Sequence, residues 1–111
     1  MSGWIGVDLD GTLAYYDGWK SPEHIGEPIP KMAERVREWL AQGREVRIFT
    51  ARAGVREQII HVEKWCVKHF GVTLIVTDRK DFGMIELWDD RCVQIQPNTG
   101  EIVSDFWRHS L

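Results

Sequence analysis

Two aspartates near the start of the chain, Asp8 and Asp10, directly follow an apolar run and directly precede a turn at Gly11. A carboxylate can attack phosphorus when the charge on the phosphate is neutralised and the two groups are held in line. A second carboxyl group two positions further on can protonate the leaving oxygen and then accept a proton from water. The pair therefore predicts a nucleophile at Asp8 and a general acid and base at Asp10, although Asp-Gly also occurs in simple turns.

A second acidic pair, Asp89 and Asp90, follows residues 86–88, a short possible strand of sequence Glu-Leu-Trp. Together with Asp8, these carboxylates would repel one another beside a phosphate unless a cation lay between them. Mg²⁺ binds oxygen ligands in an octahedral arrangement and keeps several water molecules, so two or three carboxylates are enough to hold it. We therefore expect a magnesium site at Asp8, Asp89 and Asp90. The alternative is a strand-end turn whose charge is balanced by Arg91.

Two further polar residues, Thr50 and Lys80, also come after apolar runs. Thr50 could donate a hydrogen bond to a phosphoryl oxygen, and Lys80 could place a positive charge beside the phosphate. Each residue has a simpler interpretation, since Thr50 could cap a helix that starts at Ala51, and a lysine in a charged segment is usually solvated. If Lys80 is solvated, Arg79 is the substitute cation.

Hydrophobic periodicity indicates the elements that position these residues. Short apolar runs predict strands, and apolar residues spaced three and four apart predict helices. Their alternation implies an α/β fold with parallel strands, whose carboxyl ends share one edge of the sheet, where ligands bind. We expect strands at residues 4–9, 45–50, 72–77 and 86–88, helices from Pro30 to the stop at Gly43 and over 55–70, and a C-terminal β-hairpin formed by residues 92–96 and 101–103.

In the order and placement of these motifs the sequence resembles the haloacid dehalogenase-like (HAD) hydrolases, which are mostly Mg²⁺-dependent phosphatases. The family's motif Asp-x-Asp-x-Thr matches residues 8–12, its strand-end Ser or Thr matches Thr50, its Lys matches Lys80, and its acidic pair matches Asp89 and Asp90. The resemblance covers residues 4–91 and implies a Rossmann-like, mostly parallel sheet flanked by helices. Lys80 departs from the pattern, because the family usually has a whole helix between this lysine and the acidic pair.

The resemblance implies a phosphoric monoester hydrolase that forms a phospho-aspartate on Asp8 and requires Mg²⁺. The chain has no room for the separate cap domain of many relatives, so it looks like the small, capless kind. The expected catalytic residues are Asp8, Asp10, Thr50 and Lys80. The expected substrate contacts are Gly11, Thr12, Thr50, Ala51, Arg52 and Lys80. The expected metal ligands are Asp8, Asp89, Asp90 and, by resemblance, the backbone carbonyl of Asp10.

The residues between the first motif and the first predicted helix, 15–30, form a long loop that holds three of the four prolines. Loops of this length inside a compact domain are usually functional or disordered. Two interpretations remain open, a short flap over the site and a plain surface loop. In the first, Tyr15, Tyr16, Trp19, Lys20 and His24 would contact the leaving group.

Length and composition bound the remaining possibilities. The 111 residues, of which 43% are hydrophobic and 28% charged, suit one domain over residues 1–111. A net charge of −3 and the lack of a basic run offer no support for nucleic-acid binding. The sequence has neither a long apolar span nor the pattern of a signal peptide, so we expect no membrane contact and a cytoplasmic location. Cys66 and Cys92 are expected to be reduced, partly buried thiols.

Two functions other than a phosphatase fit strand-end acids. One is a non-enzymatic phospho-acceptor that resembles a response-regulator receiver, and the other is a module that binds phosphate without chemistry. A receiver has its acidic pair at the first strand and its acceptor at the third, an order that differs from the one here. The substrate is a phosphorylated molecule whose identity and size the sequence leaves open, as it does homo-oligomer formation.

Overall fold

The structure, a computed structural model, describes residues 3–103. These residues form an α/β fold in which a four-stranded, entirely parallel sheet is flanked by two helices. The predicted α/β class and parallel pairing are therefore confirmed. The elements are β1 (Trp4–Val7), α1 (Pro30–Ala41), β2 (Glu45–Phe49), a 3-10 helix (Ala51–Gly54), α2 (Arg56–Phe70), β3 (Ile75–Thr77) and β4 (Met84–Trp88).

The order of strands in the sheet is β3-β2-β1-β4, so β1 lies inside the sheet with β2 on one side and β4 on the other. Val7, the last residue of β1, is level with Ile48 of β2 and with Trp88 of β4. The chain therefore moves outward from β1 to β3 and then returns to the opposite side of β1. Open α/β sheets bind ligands at the carboxyl ends of strands where the order reverses in this way. Here that place is the junction of β1 and β4.

The two helices bury apolar stripes in a core shared with the sheet. Val36 of α1 and Val62 of α2 are fully buried, in one cluster with Ile48 of β2. Pro30 suits the first position of α1, because its missing N–H would have no partner within the helix. α2 ends at Phe70 and is capped by Gly71, whose φ of 76° is the left-handed conformation that favours glycine.

β1 is shorter than the sequence predicted, because it ends at Val7 instead of residue 9. The carbonyl of Leu9 accepts hydrogen bonds from the N–H groups of Leu13 (3.0 Å) and Ala14 (2.9 Å), so the backbone turns there. Leu9 is fully buried, which explains its apolar type without a place in the strand. Asp8 is consequently the first residue after β1.

The other strand bounds follow the pairing more than the apolar pattern. β3 lies at an edge, and it pairs with β2 only from Ile75, whereas the apolar run begins at residue 72. β4 starts at Met84 instead of residue 86, because it pairs along the whole of β1 from Trp4 onward. A strand's length therefore depends on its partner, which its own sequence does not display.

The predicted C-terminal hairpin is present as one isolated antiparallel bridge between Ile95 and Ile102. Asn98 (φ 65°) and Gly100 (φ 76°) form the turn, as their types suggested. Within residues 3–103 this pairing is too short to form the two strands that the sequence predicted.

The chain passes from β3 to β4 through the short segment 78–83, which contains no helix. Asp81 in this segment accepts a hydrogen bond from the Trp4 indole N–H at 2.8 Å, and the Arg47 guanidinium lies 4.6 Å from the centre of the Trp4 ring. Trp4 begins β1, so this crossing is fastened at the amino end of the sheet, away from Asp8. Across residues 3–103, no helix is both long enough and apolar enough to cross a lipid bilayer.

Candidate active site

A cleft of about 510 Å³ lies at the carboxyl edge of the sheet. The acidic residues that follow β1 and β4 meet there with the polar residue that follows β2. Sequence reasoning had singled out more than half of the lining. The lining residues are Asp8, Asp10, Tyr16, Trp19, Phe49, Thr50, Ala51, Arg52, Gln58, Asp89, Asp90 and Arg91.

Three carboxylates are gathered at the junction of β1 and β4. One oxygen from each of Asp8, Asp89 and Asp90 lies within 4.8 Å of the other two. Burial raises the pKa of Asp8 to about 7, and a hydrogen bond with the Asp90 carboxyl and the nearby charges of Asp89 and Asp90 act in the same direction. Near neutral pH this cluster therefore favours either a bound proton or a bound cation.

Thr12 and Gly11 determine where the Asp90 carboxylate lies. The Thr12 hydroxyl is 2.9 Å from Asp90 Oδ1 and 3.2 Å from Asp8 Oδ2, and it accepts the Asp90 N–H at 2.9 Å. Gly11 has a φ of 93°, and a Cβ at this position would lie 2.7 Å from Asp90 Oδ2. The carboxylate therefore packs directly against the glycine, while Asp89 is oriented by the Arg91 N–H at 2.8 Å.

Thr50 is buried at the end of β2 and begins the 3-10 helix, as the capping interpretation suggested. Its hydroxyl oxygen accepts the Arg52 backbone N–H at 3.2 Å. That contact does not use the hydroxyl hydrogen, which can be donated to a ligand in the cleft. Capping and phosphate binding are thus compatible roles for this residue. Ala51 is exposed beside it.

Arg52 lines the cleft, as a substrate contact would, but most of its guanidinium is engaged within the protein. The residue is only 6% exposed, and its side chain donates to both oxygens of Asp10, from Nε to Oδ2 (2.8 Å) and from Nη2 to Oδ1 (3.0 Å). It also donates to the carbonyls of Pro22 (3.2 Å) and His24 (3.0 Å). Four of the five guanidinium N–H groups of Arg52 are therefore engaged within the protein, which leaves one for any further contact.

Lys80 lies apart from the carboxylates. It lines a separate hollow with Asp81 and Phe82, and it is not among the residues that line the cleft. The physical reason is the attachment of Asp81 to Trp4 at the amino end of β1. Arg79 is exposed and likewise absent from the cleft lining. The structure therefore does not bring Lys80 or its substitute Arg79 into the cleft lining, where the sequence placed a cation beside the phosphate.

Three cleft residues were not singled out as site residues from the sequence: Phe49, Gln58 and Arg91. Phe49 is the last residue of β2, and Arg91 directly follows the acidic pair, so both adjoin a recognised motif. Gln58 reaches the cleft because the 3-10 helix places the first turn of α2 beside it, which no local pattern indicates. Of the five loop residues that the flap interpretation named, Tyr16 and Trp19 line the cleft, whereas Tyr15, Lys20 and His24 do not.

The two cysteines play no part in the cleft. Cys66 is fully buried in the core, and burial raises the pKa of its thiol to about 12, so it stays protonated and unreactive. Cys92 is exposed, which differs from the partly buried position expected for it. Both thiols are free, as predicted.

Comparison with known proteins adds a likeness of fold. No family model and no curated protein matches the sequence. Among solved structures, a conserved protein from Bacteroides thetaiotaomicron matches with a TM-score of 0.61 and 19% identity, over 100% of this chain and 93% of that one. At this level of identity the match shows a shared fold and carries no statement about activity.

Proposed function

We propose that this protein is a capless phosphatase of the HAD type that hydrolyses a phosphate monoester through a phospho-aspartate on Asp8 and requires Mg²⁺. The observation that carries the proposal is the meeting of Asp8, Asp89 and Asp90 oxygens within 4.8 Å at the point where the strand order reverses. Asp10 and Thr50 line the same cleft, so the groups needed for phosphoryl transfer share one space.

The acidic cluster fits Mg²⁺ in chemistry and in size. Ligand oxygens about 2.1 Å from the ion lie roughly 3 to 4 Å from one another in an octahedron, which is compatible with the observed separations. Burial is the main cause of the raised pKa of Asp8, and the nearby charges of Asp89 and Asp90 add to it, a repulsion that a divalent cation would relieve. Asp8, Asp89 and Asp90 would hold the ion, and when bound it would neutralise phosphate charge and orient the phosphoryl group.

The first half of the reaction assigns different work to the two acids of the first motif. An Asp8 carboxylate oxygen attacks phosphorus, and the bond from phosphorus to the leaving oxygen breaks. A proton from the Asp10 carboxyl group passes to that oxygen, so the product leaves as a neutral alcohol. The Thr50 hydroxyl donates to a phosphoryl oxygen and holds the group in line.

The second half regenerates the enzyme. The Asp10 carboxylate accepts a proton from water, whose oxygen attacks phosphorus and displaces the Asp8 carboxylate. Inorganic phosphate leaves, and both aspartates return to their starting states. Asp10 thus needs a fixed place beside the departing oxygen and later beside the water, which makes the contacts of its carboxyl group important.

Replacement of Asp8 by asparagine tests the proposal. Asp8→Asn keeps the size of the side chain and removes the nucleophile, so Mg²⁺-dependent release of phosphate from an aryl phosphate should fall by at least about 10³-fold. Asp78→Asn is the matched control, because Asp78 also follows a strand but is exposed and lies outside the cleft lining. Undiminished turnover by Asp8→Asn would contradict the assignment.

The same assay separates an enzyme from a receiver-like phospho-acceptor. The phosphatase should release many equivalents of phosphate per protein, and chelation of Mg²⁺ should stop the release. Phosphorylation that persists on the protein for minutes without turnover would instead support the acceptor. Absence of both turnover and phosphorylation would support a module that only binds phosphate.

A further inference from the structure

We propose that Arg52 is a positioning residue for Asp10. Through Arg52, the orientation of the Asp10 carboxyl group depends on the position of the loop formed by residues 15–29, which we call the 15–29 loop. The inference rests on the proposed function, since it assigns Arg52 a part in delivering the Asp10 proton. Arg52 joins two structures that are otherwise separate in the sequence, the first motif and the tip of this loop.

The contact between Arg52 and Asp10 is a two-point clamp. Both carboxylate oxygens accept from the guanidinium, at 2.8 and 3.0 Å, and Arg52 is buried while Asp10 is partly exposed to the cleft. Two parallel hydrogen bonds fix the plane of a carboxylate as well as its place. Each oxygen keeps a second lone pair, which can carry the catalytic proton or face the substrate.

The same guanidinium holds the tip of the loop. It donates to the carbonyls of Pro22 and His24, and it lies 4.9 Å from the centre of the Trp19 ring. A guanidinium over an aromatic ring at this distance is an attractive cation–π contact. Because a guanidinium is planar and rigid, displacement of the loop contacts rotates the plane that aims Asp10.

The base of the loop is fastened independently of Arg52. The Tyr15 N–H donates to the Glu27 carbonyl at 2.9 Å, and the Trp65 indole N–H donates to the Gly26 carbonyl at 3.0 Å. Loss of the Arg52 contacts should therefore free the tip and Asp10 while the base remains on the core. A substitution at Arg52 should thus have a local effect, which can be distinguished from unfolding of the protein.

The chemical consequence concerns only the proton that reaches the leaving oxygen. An alkoxide is strongly basic and needs that proton as its bond to phosphorus breaks, whereas a dinitrophenolate is stable without it. A misdirected Asp10 should therefore slow the hydrolysis of alkyl phosphates and spare that of dinitrophenyl phosphate. A general loss of structure would slow both.

The experiment compares kcat/KM for a simple alkyl phosphate and for 2,4-dinitrophenyl phosphate with Mg²⁺ present. This ratio reports only the steps up to the formation of the phospho-aspartate. The variants are Arg52→Lys, which keeps the charge but loses the two-point clamp, and Trp19→Leu, which removes the ring and leaves the clamp in place. Arg37→Gln is the matched control. Arg37 lies on α1, and it also donates to a carbonyl, that of His69, and covers an aromatic ring, that of Phe70.

For Arg52→Lys we expect kcat/KM to fall about 10²-fold with the alkyl phosphate, the size of effect produced by small misplacements of reacting groups, and by less than about threefold with the dinitrophenyl ester. Trp19→Leu should show the same pattern with a smaller loss, and Arg37→Gln should leave both values unchanged. Circular dichroism verifies folding. If Arg52→Lys fails to fold, the exposed Trp19→Leu decides the question.

Equal losses on the two esters, or no loss on either, would overturn the positioning role while leaving the phosphatase proposal intact. Failure of the unsubstituted protein to hydrolyse either ester would contradict the proposed function, and this inference with it. The two failures are therefore distinguishable in one set of assays.

Discussion

At the scale of single residues, the geometry of the cleft depends on the neighbours that hold the three clustered carboxylates close together in fixed positions. Thr12 has one hydroxyl hydrogen for two carboxylates, Asp8 and Asp90, so it orients one of them at a time while accepting the Asp90 N–H. Gly11 adds the steric boundary on the other side. Hydrogen bonding and steric exclusion together specify where the carboxylate oxygens lie.

Gly11→Ala should displace the Asp90 carboxylate, because the new methyl group would lie 2.7 Å from Asp90 Oδ2. We expect the affinity for Mg²⁺ to fall on the order of 10- to 100-fold, as for other changes that disturb ligand orientation. Titration calorimetry measures this directly. Gly18→Ala is the control, since Gly18 also has a positive φ, 126°, but its Cβ would meet open space. Equal Mg²⁺ affinity in the two variants would contradict the steric explanation.

Thr12→Val replaces a hydroxyl by a methyl group of similar size and so removes the bridge between Asp8 and Asp90. We expect weaker Mg²⁺ binding, by about tenfold, while the fold is retained. Thr12→Ser keeps the hydroxyl and should bind the ion much as the unsubstituted protein does. The same calorimetric titration tests both variants, and a loss shared by the serine variant would show that the methyl group, not the hydroxyl, matters.

At the scale of elements, the two ends of the 15–29 loop pair with each other and form a base for the part that lines the cleft. Its base is made by the pairing of Tyr15 with Glu27 and by a bridge between Ala14 and Pro28. Gly26 lies so close to Tyr15 that a Cβ would be 2.0 Å from the Tyr15 carbonyl oxygen. The close approach of two backbones, more than any turn conformation, requires glycine here.

Gly26→Ala should therefore force the two sides of the loop base apart. Overpacking of this kind costs about 1–3 kcal/mol of unfolding free energy, and the loop tip should become more susceptible to limited proteolysis. Urea denaturation measures the loss of stability. Gly54→Ala is the control, because the atom nearest to its Cβ would be 3.6 Å away, an ordinary contact. Comparable stability of both variants would show that the base can relax.

At the scale of the whole molecule, the strand order is what assembles the acidic cluster. Thr12 and Asp90 are 78 positions apart in the chain, yet their side chains touch because β1 and β4 are neighbours. A ligand held by residues after both strands would therefore bind only the folded chain. Such a ligand stabilises the fold as its concentration rises above its dissociation constant.

The raised pKa of Asp8, about 7 against an ordinary value of 3.8, predicts how stability depends on pH. In this range the folded protein holds a proton that the unfolded chain has released, so without Mg²⁺ its stability should fall as pH rises from about 4 to about 7. Asp8→Asn should remove most of this dependence, and Asp78→Asn should not. Thermal unfolding across pH tests this, and an unchanged slope in Asp8→Asn would contradict it.

The raised pKa of Asp8 also predicts that the stabilisation by Mg²⁺ depends on pH. Mg²⁺ competes with the proton at Asp8, so added Mg²⁺ should raise the Tm more at pH 8 than at pH 5. Asp90→Asn should reduce the shift at pH 8, because it removes one of the three carboxylates. A shift of equal size at both pH values would indicate that the ion binds elsewhere.

The sequence was sufficient for much of the fold and for the acidic half of the candidate site. Apolar runs and helical spacing identified strands, helices and the parallel class, because those patterns follow from local backbone periodicity. Placement of Asp8, Thr50 and Asp89 after strands predicted their meeting, since parallel strands share one carboxyl edge. The bounds of β3 and β4 could not be predicted in this way, because they depend on pairing partners.

Only the tertiary structure decided which groups the positive charges contact. Lys80 and Arg52 both adjoin recognised motifs, and the sequence assigned both to the substrate. Lys80 lies in the 78–83 segment, which Asp81 attaches to Trp4 at the opposite end of β1, and Arg52 is already engaged by Asp10 and the loop carbonyls. The charge of a side chain can be read from the sequence. The groups that contact it depend on packing between distant segments, so those contacts are determined only in the folded chain.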